Sequence, residues 1–172
     1  MLLNPKDIFE EKLLKGIEGC PAFDPDKQIQ QAGIDIRVAR IFTVHSPIVE
    51  ISETTKPDFK SLYRELEPDS QGWFHLLPGT AYSIDSMEFI KVPENASAFV
   101  LQRSTFNRSG VFITGSVYDP SFEGNVGATM YVFNRLKLQV GTRIAQVFFA
   151  LTDSAGNYNG SYQGQKGHIE KG

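Results

Sequence analysis

Cysteine is nearly missing from this chain. Cys20 is the only one in 172 residues, which excludes an internal disulfide and any multi-cysteine zinc site. Cys20 itself reads as an inert thiol. No apolar run approaches the roughly 20 residues that a membrane-spanning helix needs. The N-terminus, MLLNPKDIFEEKLLKG, lacks the basic start and apolar middle of a secretory leader. The chain therefore reads as cytoplasmic, with no membrane partner. A strong charge of either sign is also missing: 17 Lys and Arg face 20 Asp and Glu, a net −3. Without a dense basic stripe, a nucleic-acid partner is not expected. The charge is uneven, however. Residues 1–102 hold 10 basic against 16 acidic side chains, and residues 103–172 hold 7 against 4. A mild local positive excess suits a single polyphosphate ligand. There is no GxxxxGK[ST], no HExxH and no GxSxG, and the three histidines, His45, His75 and His168, share no spacing pattern.

What is present is a helix start followed by many short strands. Asn4 can cap a helix and Pro5 suits its first turn, with Asp7 placed well for the dipole. Phe9, Leu13 and Ile17 recur as an apolar stripe, so a helix is expected within residues 1–20, ended by Gly16 or Gly19. Strands are expected at 34–44 and 47–52, with residues 53–71 as a polar loop. Further strands are read in GWFHLL, AYSIDSMEFIKV, SAFVLQRS, GVFITGSVY, NVGATMYVF, LKLQVG and RIAQVFFAL. Such a series of short strands with Gly and Pro turns predicts a β-sandwich, jelly roll or barrel, here in one domain over 1–172.

Four stretches carry candidate chemistry. In QRSTFNRSG, Arg103 and Ser104 stand at a strand end, where a guanidinium and a hydroxyl can take phosphate oxygens, and Arg108 follows five residues on. In GSVYDPSFEGNVG, Asp119 is a lone carboxylate before Pro120, which holds its backbone extended. Gly115 and Gly124 are read as letting the flanking hairpin turn tightly. Taken singly, each has an ordinary structural explanation: a solvated arginine, a turn, a core phenylalanine at Phe122.

Together, AGIDIR (32–37), QRSTFNRSG (102–110), GSVYDPSFEGNVG (115–127) and GTRIAQ (141–146) resemble, in order and spacing, the motifs of trimeric dUTP pyrophosphatases. The N-terminal KDIFEEKLLKG, the LLPGTAYSI stretch and the tail YNGSYQGQKG are more similar to the dCTP deaminase branch of the same superfamily. The resemblance implies a mostly-β, distorted jelly roll with a short N-terminal helix, assembled as a homotrimer with sites between subunits. It implies that Asp119 accepts the sugar 3′-hydroxyl and polarises the attacking water, with Ser104 near the scissile bridge. Arg103, Arg108 and Gln146 would hold the triphosphate, and Arg143 either the triphosphate or an interface ion pair. Phe122 would lie under the deoxyribose, and main-chain groups at Gly127 would read the base. Asp35 would lie near a Mg²⁺ ion carried by the triphosphate. The tail, 153–172, would be a lid offering Tyr158, Tyr162, Gln163 and Gln165.

In the deaminases, the resemblance places a proton-carrying glutamate five residues beyond the glycine matching Gly124. That position is Thr129, flanked by Ala128 and Met130, and a hydroxyl cannot serve as that base. The expected reaction is therefore hydrolysis of dUTP to dUMP and pyrophosphate by an Asp-activated water. The rivals are a dCTP deaminase, or a bifunctional enzyme, that draws an acid such as Glu123 from elsewhere, and a catalytically silent nucleotide-binding protein.

Overall fold

Asn4 and Pro5 begin a helix as the sequence predicts. The Asn4 side chain accepts from the Lys6 N–H at 3.0 Å, and Pro5 opens α1 (Pro5–Glu10). The computed structural model describes residues 1–45, 48–153, 156–165 and 167. His168 lies outside them. The helix is much shorter than the stripe of Phe9, Leu13 and Ile17 implied. Lys12 takes a positive φ of 58°, and Leu14–Gly16 is already a strand, β1. The buried residues of α1 are Pro5 and Ile8, while Phe9 stacks on Phe23. A helix this short has little stability of its own. Pairing of Leu14 with Ile90 and Gly16 with Glu88 gives these residues a sheet partner instead.

Among the described residues, nine further strands follow: β2 (Ile34–Val44), β3 (Tyr63–Glu65), β4 (Trp73–Leu76), β5 (Thr80–Lys91), β6 (Ala96–Gln102), β7 (Val111–Tyr118), β8 (Glu123–Val132), β9 (Leu136–Gln139) and β10 (Arg143–Leu151). Three one-turn helices interrupt them: α2 (Pro25–Gln28), α3 (Phe59–Leu62) and α4 (Ser104–Arg108). The expected strand at 47–52 does not form. Ile48, Val49 and Ile51 are exposed coil, and Pro47 lies outside the described residues. The stretch 53–71, read as a loop, contains α3 and β3.

The main sheet runs β1-β5-β8-β7-β6-β10-β2-β3, and β2 also pairs with β5. Six strands thereby close on themselves, and β4 with β9 forms a separate ribbon. This is the expected mostly-β, distorted jelly-roll class with a short helix. Ile34, Ile36, Ile41, Met130, Val147 and Phe149 fill the interior. One buried ion pair ties the N-terminal segments to it. Glu88 is 0% exposed, accepts from Arg37 Nε and the Arg37 backbone N–H at 2.7 Å each, and accepts from Gln28 at 3.0 Å. Burial pushes the Glu88 carboxyl up from its usual range, against the pull of Arg37. Arg37 also donates to the Ala22 carbonyl, so the pair holds both β2 and the loop before α2.

Candidate functional site

β7 and β8 pair only between Val111–Thr114 and Thr129–Val132. Beyond that point they part, rejoined by the turn through Asp119 and Pro120. The fork encloses a cavity of about 480 Å³, within the ordinary range of small-molecule sites. Thr114, Thr129, Asp119 and Phe122 are among its lining residues; the two threonines and Asp119 are exposed and Phe122 is buried. Gly115 and Gly124 serve close approach rather than turning, and neither takes positive φ; the turn residue that does is Ser121, at 66°. A Cβ at Gly115 would stand 2.6 Å from Val100 Cβ, and one at Gly124 2.5 Å from Phe122 Cζ.

Asp119 is exposed at the cavity edge, its carbonyl accepting the Phe122 N–H at 3.1 Å. Phe122 is buried between Tyr118, at 5.1 Å between ring centroids, and Tyr158, at 5.4 Å edge-on. It is thus both a packed aromatic and part of the cavity wall. Gly127 lines the cavity, but its carbonyl accepts the Tyr118 hydroxyl at 2.9 Å. Burial pushes that hydroxyl's pKa up, so it stays a donor.

The tail lies over the fork. The Tyr158 N–H donates to the Pro120 carbonyl at 2.7 Å, and Gln163 Nε2 donates to the Ser121 carbonyl at 2.9 Å. Gln165 forms a parallel bridge with Gly124, its carbonyl accepting the Asn125 N–H at 2.9 Å. Tyr158, Tyr162, Gln165 and Gly167 all line the cavity.

A second cluster forms where β2, β10 and α4 meet. Asp35, 1% exposed, takes Arg103 Nε and Arg143 Nη1 on one oxygen at 3.1 Å each, and Gln146 Nε2 on the other at 3.3 Å. Burial pushes the Asp35 carboxyl up, while Arg103, Gln146 and Arg143 oppose the rise. Two guanidiniums on one carboxylate leave the cluster net positive. Ser104 begins α4 and Arg108 ends it, both exposed. None of these residues lines the cavity of the same chain. Asp35 is already occupied by three side-chain donors, and no group of three His, Cys, Asp or Glu able to hold a metal ion occurs among the described residues. The residues present do not fit a protein-held metal site.

Two acids decide what the cavity can do. Glu123 is turned away, its carboxylate paired with Lys91 at 2.9 Å, and does not line the cavity. Asp85 does line it. It stands on β5 opposite Gly127 and is 2% exposed, its carboxylate accepting from Arg40 Nη2 at 2.9 Å. Motif reading along β8 could not find Asp85, because its place depends on the β5–β8 register. The available signal was an aspartate in the middle of a strand, a position such residues seldom take.

A family described as dCTP deaminase-like matches residues 6–152. The chain belongs to this family. It is 35% identical over 177 residues to a dUMP-forming dCTP deaminase of Persephonella marina, covering 97% of this chain and 94% of that one. It is also 33% identical over 145 residues to a deoxyuridine 5′-triphosphate nucleotidohydrolase of Methanocaldococcus jannaschii, covering 81% and 90%. Among solved structures, the fold is similar to that of a 2′-deoxycytidine 5′-triphosphate deaminase from Agrobacterium tumefaciens. The TM-score is 0.69 at 19% identity, over 88% of this chain and 48% of that one. This chain thus spans about half the length of that structure. Membership in the dCTP deaminase-like family makes the chain an enzyme of deoxypyrimidine nucleotide metabolism, with both activities represented among its relatives.

Proposed function

We propose that this chain hydrolyses dUTP to dUMP and pyrophosphate. The observation that carries the reading is Asp119 on the edge of the β7–β8 cavity, with a hydroxyl, Thr129, at the position on β8 where the resemblance puts the proton-carrying acid of deamination. In this reading the base enters the fork, the deoxyribose stacks on Phe122, and the α-phosphate rests near Asp119. Asp119 accepts the 3′-hydroxyl and takes a proton from the water that attacks the α-phosphorus. Phosphoanhydride hydrolysis asks the protein mostly for positioning and charge neutralisation. Arg103, Arg143 and Gln146 supply positive charge and donors, with Ser104 and Arg108 beside them. Mg²⁺ arrives with the triphosphate as part of the substrate. The tail residues Tyr158, Tyr162 and Gln165 exclude water when the site is filled.

The cationic cluster and the cavity are separate within one chain, which favours assembly from several copies. An apolar stripe crosses the outer face of β7, β6 and β10: Val117 lies opposite Phe99, and Phe99 opposite and stacked on Phe148 at 5.7 Å. Leu101 extends it, 61% exposed, with Val117 at 56%. A homotrimer would cover this stripe and bring one copy's phosphate cluster to another's cavity. Substituting Asp119 by Asn tests the catalytic assignment: dUTP turnover should fall about 10²- to 10⁴-fold, the usual contribution of a positioned proton acceptor, with binding retained. Undiminished turnover would remove Asp119 from the reaction.

The second reading is deamination of dCTP. Asp85 favours it, being a carboxylate inside the cavity that strand β8 itself does not supply.

A further inference from the structure

The tail carries two tyrosines, Tyr158 and Tyr162, and each joins a different set of rings on the cavity wall. Tyr158 meets Phe122 edge-on at 5.4 Å, and Phe122 meets Tyr118 at 5.1 Å. This set belongs to the turn after β7. There the main chain also fastens the tail, through Tyr158 to Pro120, Gly164 to Glu123 and Gln165 to Asn125. Tyr162 goes elsewhere. Its ring lies 6.5 Å from that of Phe59, tilted by 57°, and Lys56 Nζ stands 6.0 Å from its centroid. The Tyr162 N–H donates to the Tyr158 hydroxyl at 3.3 Å, which ties the two tyrosines together.

Phe59 is built to hold a ring in place. It opens α3, whose cap Asp58 accepts the Lys60 N–H at 3.1 Å. Its ring stacks on Tyr63 at 6.0 Å and 9°, and Tyr63 meets Phe42 at 6.2 Å. Phe42, on β2, is fully buried. At the other end of α3, Leu62 is 7% exposed and its carbonyl accepts the His45 N–H at 2.7 Å. A chain of rings thus runs from the core to the tail. Ring pairs at centroid distances of about 4.5–7 Å attract one another, and a lysine over a ring adds to this. Phe59 itself lines the cavity beside Tyr162. The main-chain bonds at the turn form with almost any side chain in the tail. The seat on α3 needs a ring at 162 and a ring at 59.

We infer that Phe59 is a positioning residue: through Tyr162 it seats the tail on α3, giving the tail a second fastening on the cavity wall. The inference rests on the reading of the cavity as a nucleotide site. A tail held only at the turn can swing away from the cavity. Held at both places, it stays over a bound nucleotide and slows its escape. Phe59 therefore acts on closure and not on the reacting atoms, so its loss raises KM and spares kcat.

The test measures hydrogen exchange over residues 156–165 in the nucleotide-free protein, and dUTP kinetics, for the wild type, Phe59→Ala, Tyr162→Ala, the double variant and Phe59→Tyr. Tail exchange in Phe59→Ala should quicken roughly 2- to 10-fold, what one aromatic pair is worth, while exchange in β6 and β10 stays as it was. KM for dUTP should rise by a similar factor. The double variant should be no worse than Tyr162→Ala, because contacting residues that act as a unit do not add. Phe59→Tyr should restore both readings. Unchanged tail exchange, additive losses in the double variant, or faster exchange with KM unmoved would each overturn the inference. Should Phe59→Ala unfold α3, Tyr162→Ala alone decides: its side chain is 38% exposed, and tail exchange unchanged there overturns the seat. Faster tail exchange in an enzyme that turns over no dUTP would sustain the seat and sink the hydrolytic reading alone.

Discussion

Single side chains divide here into those that a local motif exposes and those that only the fold does. Asp119 is of the first kind, because Asp-Pro at a hairpin tip between glycines is visible in thirteen consecutive residues. Asp85 is of the second, since nothing near it in sequence points to the cavity. The glycines were half legible: their importance could be read, but their reason is the crowding of Val100 and Phe122 rather than a turn. Gly124→Ala should therefore displace the Phe122 ring and weaken nucleotide binding, with Gly115→Ala weaker still in stability because Val100 Cβ cannot swing away. Calorimetric binding and thermal melts separate the two. A further residue-scale expectation concerns Asp69, whose carboxyl is held down to about 2 first by the His75 hydrogen bond and then by the Trp73 N–H. A lowered folded-state value means that its contribution is complete above the ordinary carboxylate range and fades as pH falls towards about 2. An NMR titration should find Asp69 ionised at pH 3 in the wild type and returned towards its ordinary value in His75→Ala.

Among the elements, strands are more legible in the sequence than helices. β2 and β10 run over the residues that alternation and apolar continuity picked out. The N-terminal helix is shorter than its sequence suggests because spacing of four fits any local stripe, whereas a strand partner at Ile90 is invisible in sequence. The same blindness hid the fork, since alternation marks β7 and β8 as strands but not where their pairing stops. The Arg37–Glu88 pair is the element-scale joint, linking β2, β5 and the segment before α2. Arg37→Ala would strand a fully buried carboxylate, which costs on the order of 3–5 kcal/mol. Arg37→Met with Glu88→Leu should recover much of that loss, as measured by urea unfolding. Removing the chain beyond Asp153 strips the tail from Pro120, Ser121 and Gly124. Turnover should fall sharply while the melting temperature changes little, since the barrel keeps its own pairings.

For the molecule as a whole, the closed six-stranded ring leaves an apolar stripe outside, on β6, β7 and β10. Sedimentation should give a trimer. Leu101→Asp with Val117→Asp should give monomers that fold but turn over no nucleotide, because cavity and phosphate cluster then belong to different molecules. The central claim is that one aspartate at the cavity edge, with a threonine on β8 in place of an acid, makes a hydrolase and not a deaminase. The most direct measurement incubates the purified protein and Mg²⁺ with dUTP, dCTP, dTTP or UTP and resolves the products by anion exchange. The account predicts dUMP and pyrophosphate from dUTP, with dCTP left intact. Conversion of dCTP to dUTP or dUMP with release of ammonia would contradict it.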